Sequence, residues 1–79
     1  MTHLIEVTED ARADLQPARP SGRLEVVKLD LGEVIEGRVW GYVNDLGWNR
    51  LVEVADIALA DGTGTLLRVP CRSFRFRDG

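Results

Sequence analysis

The chain has 79 residues, 44% of them apolar and 29% charged, with a net charge of −3; that is enough for one domain with one core, removing only about 60% of the unfolded chain's surface from water. With Cys71 the only cysteine and His3 the only histidine, neither a disulfide framework nor a His/Cys metal cluster can assist folding, so added stability is expected from self-association or a protein partner. No run of 18 apolar residues and no signal-like leader occurs, which predicts a soluble chain with no membrane partner; the single cysteine fits a reducing, cytoplasmic setting.

The charge is uneven. Residues 1–67 carry six Lys/Arg against twelve Asp/Glu, whereas the tail carries Arg68, Arg72, Arg75 and Arg77 against Asp78 alone. An acidic body argues against generic nucleic-acid binding, which draws its affinity from phosphate contacts, and leaves room for a local site.

In chain order, Thr8 reads as an N-cap, Glu9 and Asp10 suit the positive end of a helix, and Ala11 and Leu15 share a face at i, i+4. This predicts a short helix stopped by Pro17, Pro20 and Gly22, with residues 1–22 forming a helix and connector outside a β domain of residues 23–79. From Leu24 to Leu31 the period is two, with Val27, Leu29 and Leu31 on one side, and Leu31-Gly32-Glu33 makes a turn. A second strand runs from Glu33 to Val43, with Ile35, Val39 and Val43 as its core face. Gly37 and Gly41 lie on that parity, where a missing side chain permits a sharp bend or a close backbone approach. A third strand over residues 49–60 is apolar on both parities, which implies a bulge or two-sided burial. The turn Asp61-Gly62-Thr63-Gly64 leads to a fourth strand, Thr65 to Val69. Pro70 interrupts the ladder, Cys71 to Ser73 fit one 3₁₀ turn, and Phe74 to Arg77 make a last strand with its phenylalanines on one side and arginines on the other. The expected fold is mainly β: a small, strongly bent, five-stranded antiparallel barrel preceded by a short helix.

Gly32 and Gly37, spaced five apart, are followed by a strand and then by Asp45 and Asn49, spaced four apart, with Trp48 just before the asparagine. This pattern resembles the first motif of the Sm-like family of RNA-associated small barrels, with two extra residues between Gly37 and Asp45. Leu67-Arg68-Val69 partly echoes the family's second motif, an Ile-Arg-Gly triplet, with valine in place of the glycine. The likeness covers residues 8–77 in architecture and residues 32–56 in motif, and glycine-rich β turns also occur in unrelated SH3-like barrels. The resemblance implies an oligomer joined through the fourth and fifth strands that presents Asp45, Asn49 and Arg68 to RNA.

The residues themselves leave alternatives open. Arg38, Trp40 and Tyr42 share the non-core parity and form an exposed aromatic and basic patch, unless the bend at Gly37 or Gly41 turns the rings inward. Trp48 is either a lid over one barrel end or a loop contact. Asp45 and Asn49 read a base edge or shape turns. Arg68, Arg75 and Arg77 grip phosphate or discourage edge-to-edge pairing.

Catalysis is not expected. The only histidine sits in a segment expected to fray, and no glycine-rich loop precedes a helix to cradle a phosphate. No cofactor, metal or small-molecule substrate is called for. Two readings remain: an RNA-associated Sm-like module that self-associates, and a protein-binding regulatory barrel that docks its acidic and aromatic faces on a component of the transcription or translation machinery.

Overall fold

In the computed structural model, which describes residues 1–17, 24–47 and 50–77 and leaves aside the side chains of 45–47, 50 and 51, the chain forms one antiparallel sheet. Its strands are β1 (His3–Val7), β2 (Ala11–Gln16), β3 (Glu25–Leu29), β4 (Val34–Gly47), β5 (Arg50–Leu59), β6 (Leu66–Pro70) and β7 (Phe74–Phe76), with a 3₁₀ turn, Cys71–Ser73, between the last two. Their order across the sheet is β3-β2-β6-β5-β4-β1-β7.

The amino-terminal helix expected from the sequence is absent. His3 to Val7 alternates Ile5 and Val7 inward with Leu4 and Glu6 outward, and Ala11, Ala13 and Leu15 are also two apart. The same Ala11 and Leu15 satisfy a helical spacing, but the edges of β4 and β6 were open to pairing and tertiary contact decided the matter. Thr8, Glu9 and Asp10 are the connection from β1 to β2, not a helix start. Residues 3–16 are consequently no appendage: β1 lies between β4 and β7, and β2 between β3 and β6. Ile5, Val7 and Ala13 join Leu29, Ile57, Leu67 and Val69 in the core, with Leu15, Val27, Ile35, Leu59 and Phe74 packed against it. His3 does not fray. Its backbone pairs with Gly37 and its ring meets Phe76 edge-on at 5.2 Å.

Three short connections dictate the shape. Thr8 to Asp10 joins β1 to β2, Asp30 to Glu33 joins β3 to β4, and Cys71 to Ser73 joins β6 to β7, and each links strands four places apart in the sheet. Across a flat sheet that separation is about 19 Å. Yet the Asp30–Glu33 turn closes on itself through a 3.0 Å hydrogen bond from Glu33 N–H to the Asp30 carbonyl, with Gly32 at φ +90°, and such a turn holds its ends within about 7 Å. The sheet therefore curls strongly. The connections meet at one rim: Gly32 N–H donates to the Val7 carbonyl at 2.8 Å, Val7 N–H to Glu33 at 2.9 Å, Thr8 N–H to Ser73 at 2.8 Å, and Leu31 N–H to Asp10 Oδ1 at 2.7 Å.

The curled sheet stays open, with β3 and β7 as its edges, so the expectation of a closed five-stranded barrel is corrected to an open seven-stranded sheet. The two additional strands are the ones misread as helix and connector. The fourth predicted strand, β6, is flanked by β2 and β5 within the chain. It has no edge for the self-association expected through it.

Gly37 marks the point where β4 stops pairing with β1. The amino-terminal part of β4 pairs with β1, while Gly37 onward pairs with β5. Gly37 is buried, and a Cβ there would lie 2.6 Å from Ile57 Cγ2 and 2.7 Å from the Ala58 carbonyl oxygen; only glycine allows that approach. Two residues on, the register shifts between Val39 and Gly41, so Trp40 is an extra residue in β4 opposite β5. On β5, Val54, Ala55, Asp56 and Ile57 are all buried, so of the two alternatives expected of this strand it shows two-sided burial, and the bulge falls on its partner β4 instead.

Candidate contact surface

The bulge determines what β4 presents. Trp40 is 65% exposed and Tyr42 58%, and the Arg38 guanidinium carbon lies 5.5 Å from the centre of a Trp40 ring, within cation–π range. The rings are not turned into the core. Arg38 lies opposite Ala58, on the face of Asp56; past the extra residue Trp40 the parity of β4 reverses, so Tyr42 lies opposite the buried Ala55 on the other face and is exposed there. Val43, also exposed, follows on the same strand.

The polar residues singled out from the sequence fare differently. Arg68 holds Asp56 in a two-pronged pair, Nε to Oδ1 at 2.9 Å and Nη2 to Oδ2 at 3.1 Å, partly buried on the outer side of β5 and β6. The register sets Asp14, Arg68, Asp56 and Gly41 in one row across β2, β6, β5 and β4. Asp45 pairs with Val52, four residues along β5 from Asp56. That places it about 13 Å farther down the strand, so Arg68 and Asp45 do not form the joint site that the resemblance implied. Trp48 and Asn49 lie outside the described residues. Arg75 faces Glu6 across β7 and β1 and binds its Oε2 through Nε at 2.8 Å and Nη2 at 2.7 Å. Arg77 is exposed, and its N–H donates to the Leu4 carbonyl at 2.9 Å.

Of the tail's arginines, Arg68 and Arg75 are thus clasped through two nitrogens each, and Arg72 meets Glu9 at 3.5 Å, so the two unequal halves of the charge distribution meet through ion pairs. Sequence reasoning did not single out Leu24, Val26 and Leu31, all exposed in or beside the edge strand β3. Their signal was present, since Val26 sits on the non-core parity of that strand.

Two titratable groups are perturbed by their surroundings. Hydrogen bonds from the Thr63 hydroxyl and backbone hold the Asp61 carboxyl below the usual carboxylate range. Burial, followed by the neighbouring Glu53, pushes the Cys71 thiol up, which disfavours the reactive thiolate. Among the described residues no group of three or more His, Cys, Asp or Glu could hold a metal ion, and no helix is long and apolar enough to cross a membrane. No family model, curated protein or solved structure matches this chain.

Proposed function

We propose that this chain is a non-catalytic binding module that engages a protein partner through the exposed ridge of β4, with Trp40 as its anchor, Arg38 beside it and Tyr42 on the reverse face. The observation that carries this reading is the exposure of two large aromatic rings, one under a guanidinium, on a strand held in register against β5. Aromatic and arginine side chains on such a scaffold supply large contact area at small entropic cost, and interface energy concentrates on them.

A protein partner accounts for the surface better than RNA does. Arg68 and Arg75, two cations that an RNA contact would require, are committed to Asp56 and Glu6. Val69 stands where the Sm-like motif has its glycine, and the net charge of −3 opposes a polyanion. A regulatory role in gene-expression machinery, a cytoplasmic location and self-association belong to the same proposal.

A photo-activated cross-linking residue at position 40 tests it in cells. The expected result is one discrete protein adduct that is absent with the cross-linker at position 63 and is lost on Arg38→Ala. Co-purifying nucleic acid that disappears with Trp40→Ala would transfer the ridge to RNA and overturn the reading.

A further inference from the structure

We propose that the rim where the three short connections meet carries a binding site for a phosphate-type oxyanion, held by Arg12, Lys28 and Arg72; this goes beyond the β4 ridge and uses none of its residues. The rim contains a cleft of about 450 Å³ whose wall includes Glu9, Asp10, Arg12, Lys28, Arg72 and Ser73. Three cations reach it from three different elements: β2, β3 and the 3₁₀ turn.

Arg12 stands directly opposite Lys28 in the β2–β3 ladder. Like charges directly across an antiparallel pair repel, so this rung is unfavourable by itself and is relieved by an anion between the two heads. The carboxylates in the wall are already engaged. Glu9 Oε1 accepts the Ser73 hydroxyl at 3.3 Å and lies 3.5 Å from Arg72 Nε, and Asp10 Oδ1 accepts Leu31 N–H. Lys28 has only a 3.7 Å contact with Asp30, and the Lys28 and Arg72 side chains remain 73% and 71% exposed. Arg68 and Arg75 are each gripped through two nitrogens at 3.1 Å or less, whereas Lys28 and Arg72 each meet one carboxylate through a single nitrogen at 3.7 and 3.5 Å, which leaves donors of both for an anion.

Phosphate suits the site by charge and shape. At neutral pH it carries roughly −1.5 to −2 charges and three strong acceptor oxygens, matching three cations that line one cleft from three elements, two of them arginines with forked N–H groups. A singly charged carboxylate satisfies fewer of them. The source can be free phosphate or a phosphoryl group carried on another molecule, and the chemistry of recognition is the same.

Residue-resolved NMR titration of the intact chain with inorganic phosphate, against sodium chloride at equal ionic strength, tests the site. Saturable shifts confined to amides of residues 9–12, 28 and 71–73 are expected with phosphate and not with chloride. Each of Arg12→Gln and Lys28→Gln is expected to weaken binding about threefold, and the pair about tenfold, while Arg38→Gln leaves it unchanged. Since each Gln variant removes a repulsion, neither is expected to lower the melting temperature, a readout that distinguishes a ligand site from a structural charge pair. A phosphoserine peptide that binds more tightly than both its unphosphorylated form and free phosphate would assign the carried phosphoryl group as the source. Equal shifts in chloride, or wild-type binding by the double variant, would overturn the proposal.

Discussion

Gly37 and Gly41 have the same side chain and the same strand, yet they carry different burdens. At Gly37 a single added carbon collides with the Ile57 side chain and with the Ala58 carbonyl oxygen, whereas at Gly41 no atom lies within 4 Å of that position. A backbone carbonyl in the middle of a ladder cannot step aside as a flexible side chain can. Gly37→Ala is therefore expected to destabilise the fold by about 1–3 kcal/mol, and Gly41→Ala to change stability by less than about 0.5 kcal/mol, with any change favourable because glycine loses more freedom on folding. Urea denaturation of the two variants side by side checks this. An equal loss in both would place the close approach elsewhere. The sequence made the importance of Gly37 readable, because five-residue glycine spacing ahead of a β-branched strand calls for a bend. It could not separate Gly37 from Gly41, since the distinction arises from Ile57 and Ala58, twenty residues away in the chain.

Among the elements, the outer row across β5 and β6 makes a similar point about charge. Asp56 is buried and faces Arg68 in ideal two-pronged geometry, so removing one partner leaves the other without compensation. Asp56→Ala is expected to cost about 1–3 kcal/mol, below the range for fully buried pairs because Arg68 retains some contact with water. Replacing both residues with leucine is expected to recover most of that loss, and a denaturation cycle over the three variants measures it; a double variant as unstable as the single would show that the pair itself, not its breakage, governs stability. Period-two reading located β3 through β7 and the 3₁₀ turn after Pro70, since glycine, proline and β-branched residues act locally there, but β4 runs on to Gly47 instead of ending at Val43, and Pro70 closes the β6 ladder opposite Val54 instead of interrupting it. It failed over residues 3–16, where Ala11 and Leu15 fit both periods and only pairing with β3, β4, β6 and β7 resolves them. The same locality explains the site: parity alone put Arg38, Trp40 and Tyr42 on one side, but the bulge opposite Asp56 and Ile57 carries Tyr42 to the other face. Nothing in the tail's sequence disclosed that Arg75 answers Glu6, sixty-nine residues earlier.

For the molecule as a whole, the open sheet depends on connections that are too short for anything but a strong curl. This rolls the two ends of the chain into one core, sets the acidic body against the basic tail, leaves β3 and β7 as the outermost strands, and gathers the cleft cations at one rim while the β4 ridge projects from the sheet. Native-state amide hydrogen exchange resolved by residue tests this arrangement most directly, through the Val7, Thr8 and Gly32 amides that join β1 to the two rim turns. The curled sheet predicts protection of all three close to that of Ile57 at the centre of β5, because they open only when the core opens. Exchange of Val7 and Thr8 near the rate of an unstructured chain, with Ile57 still protected, would mean that residues 3–16 lie outside the sheet and would contradict the fold on which both proposed surfaces rest.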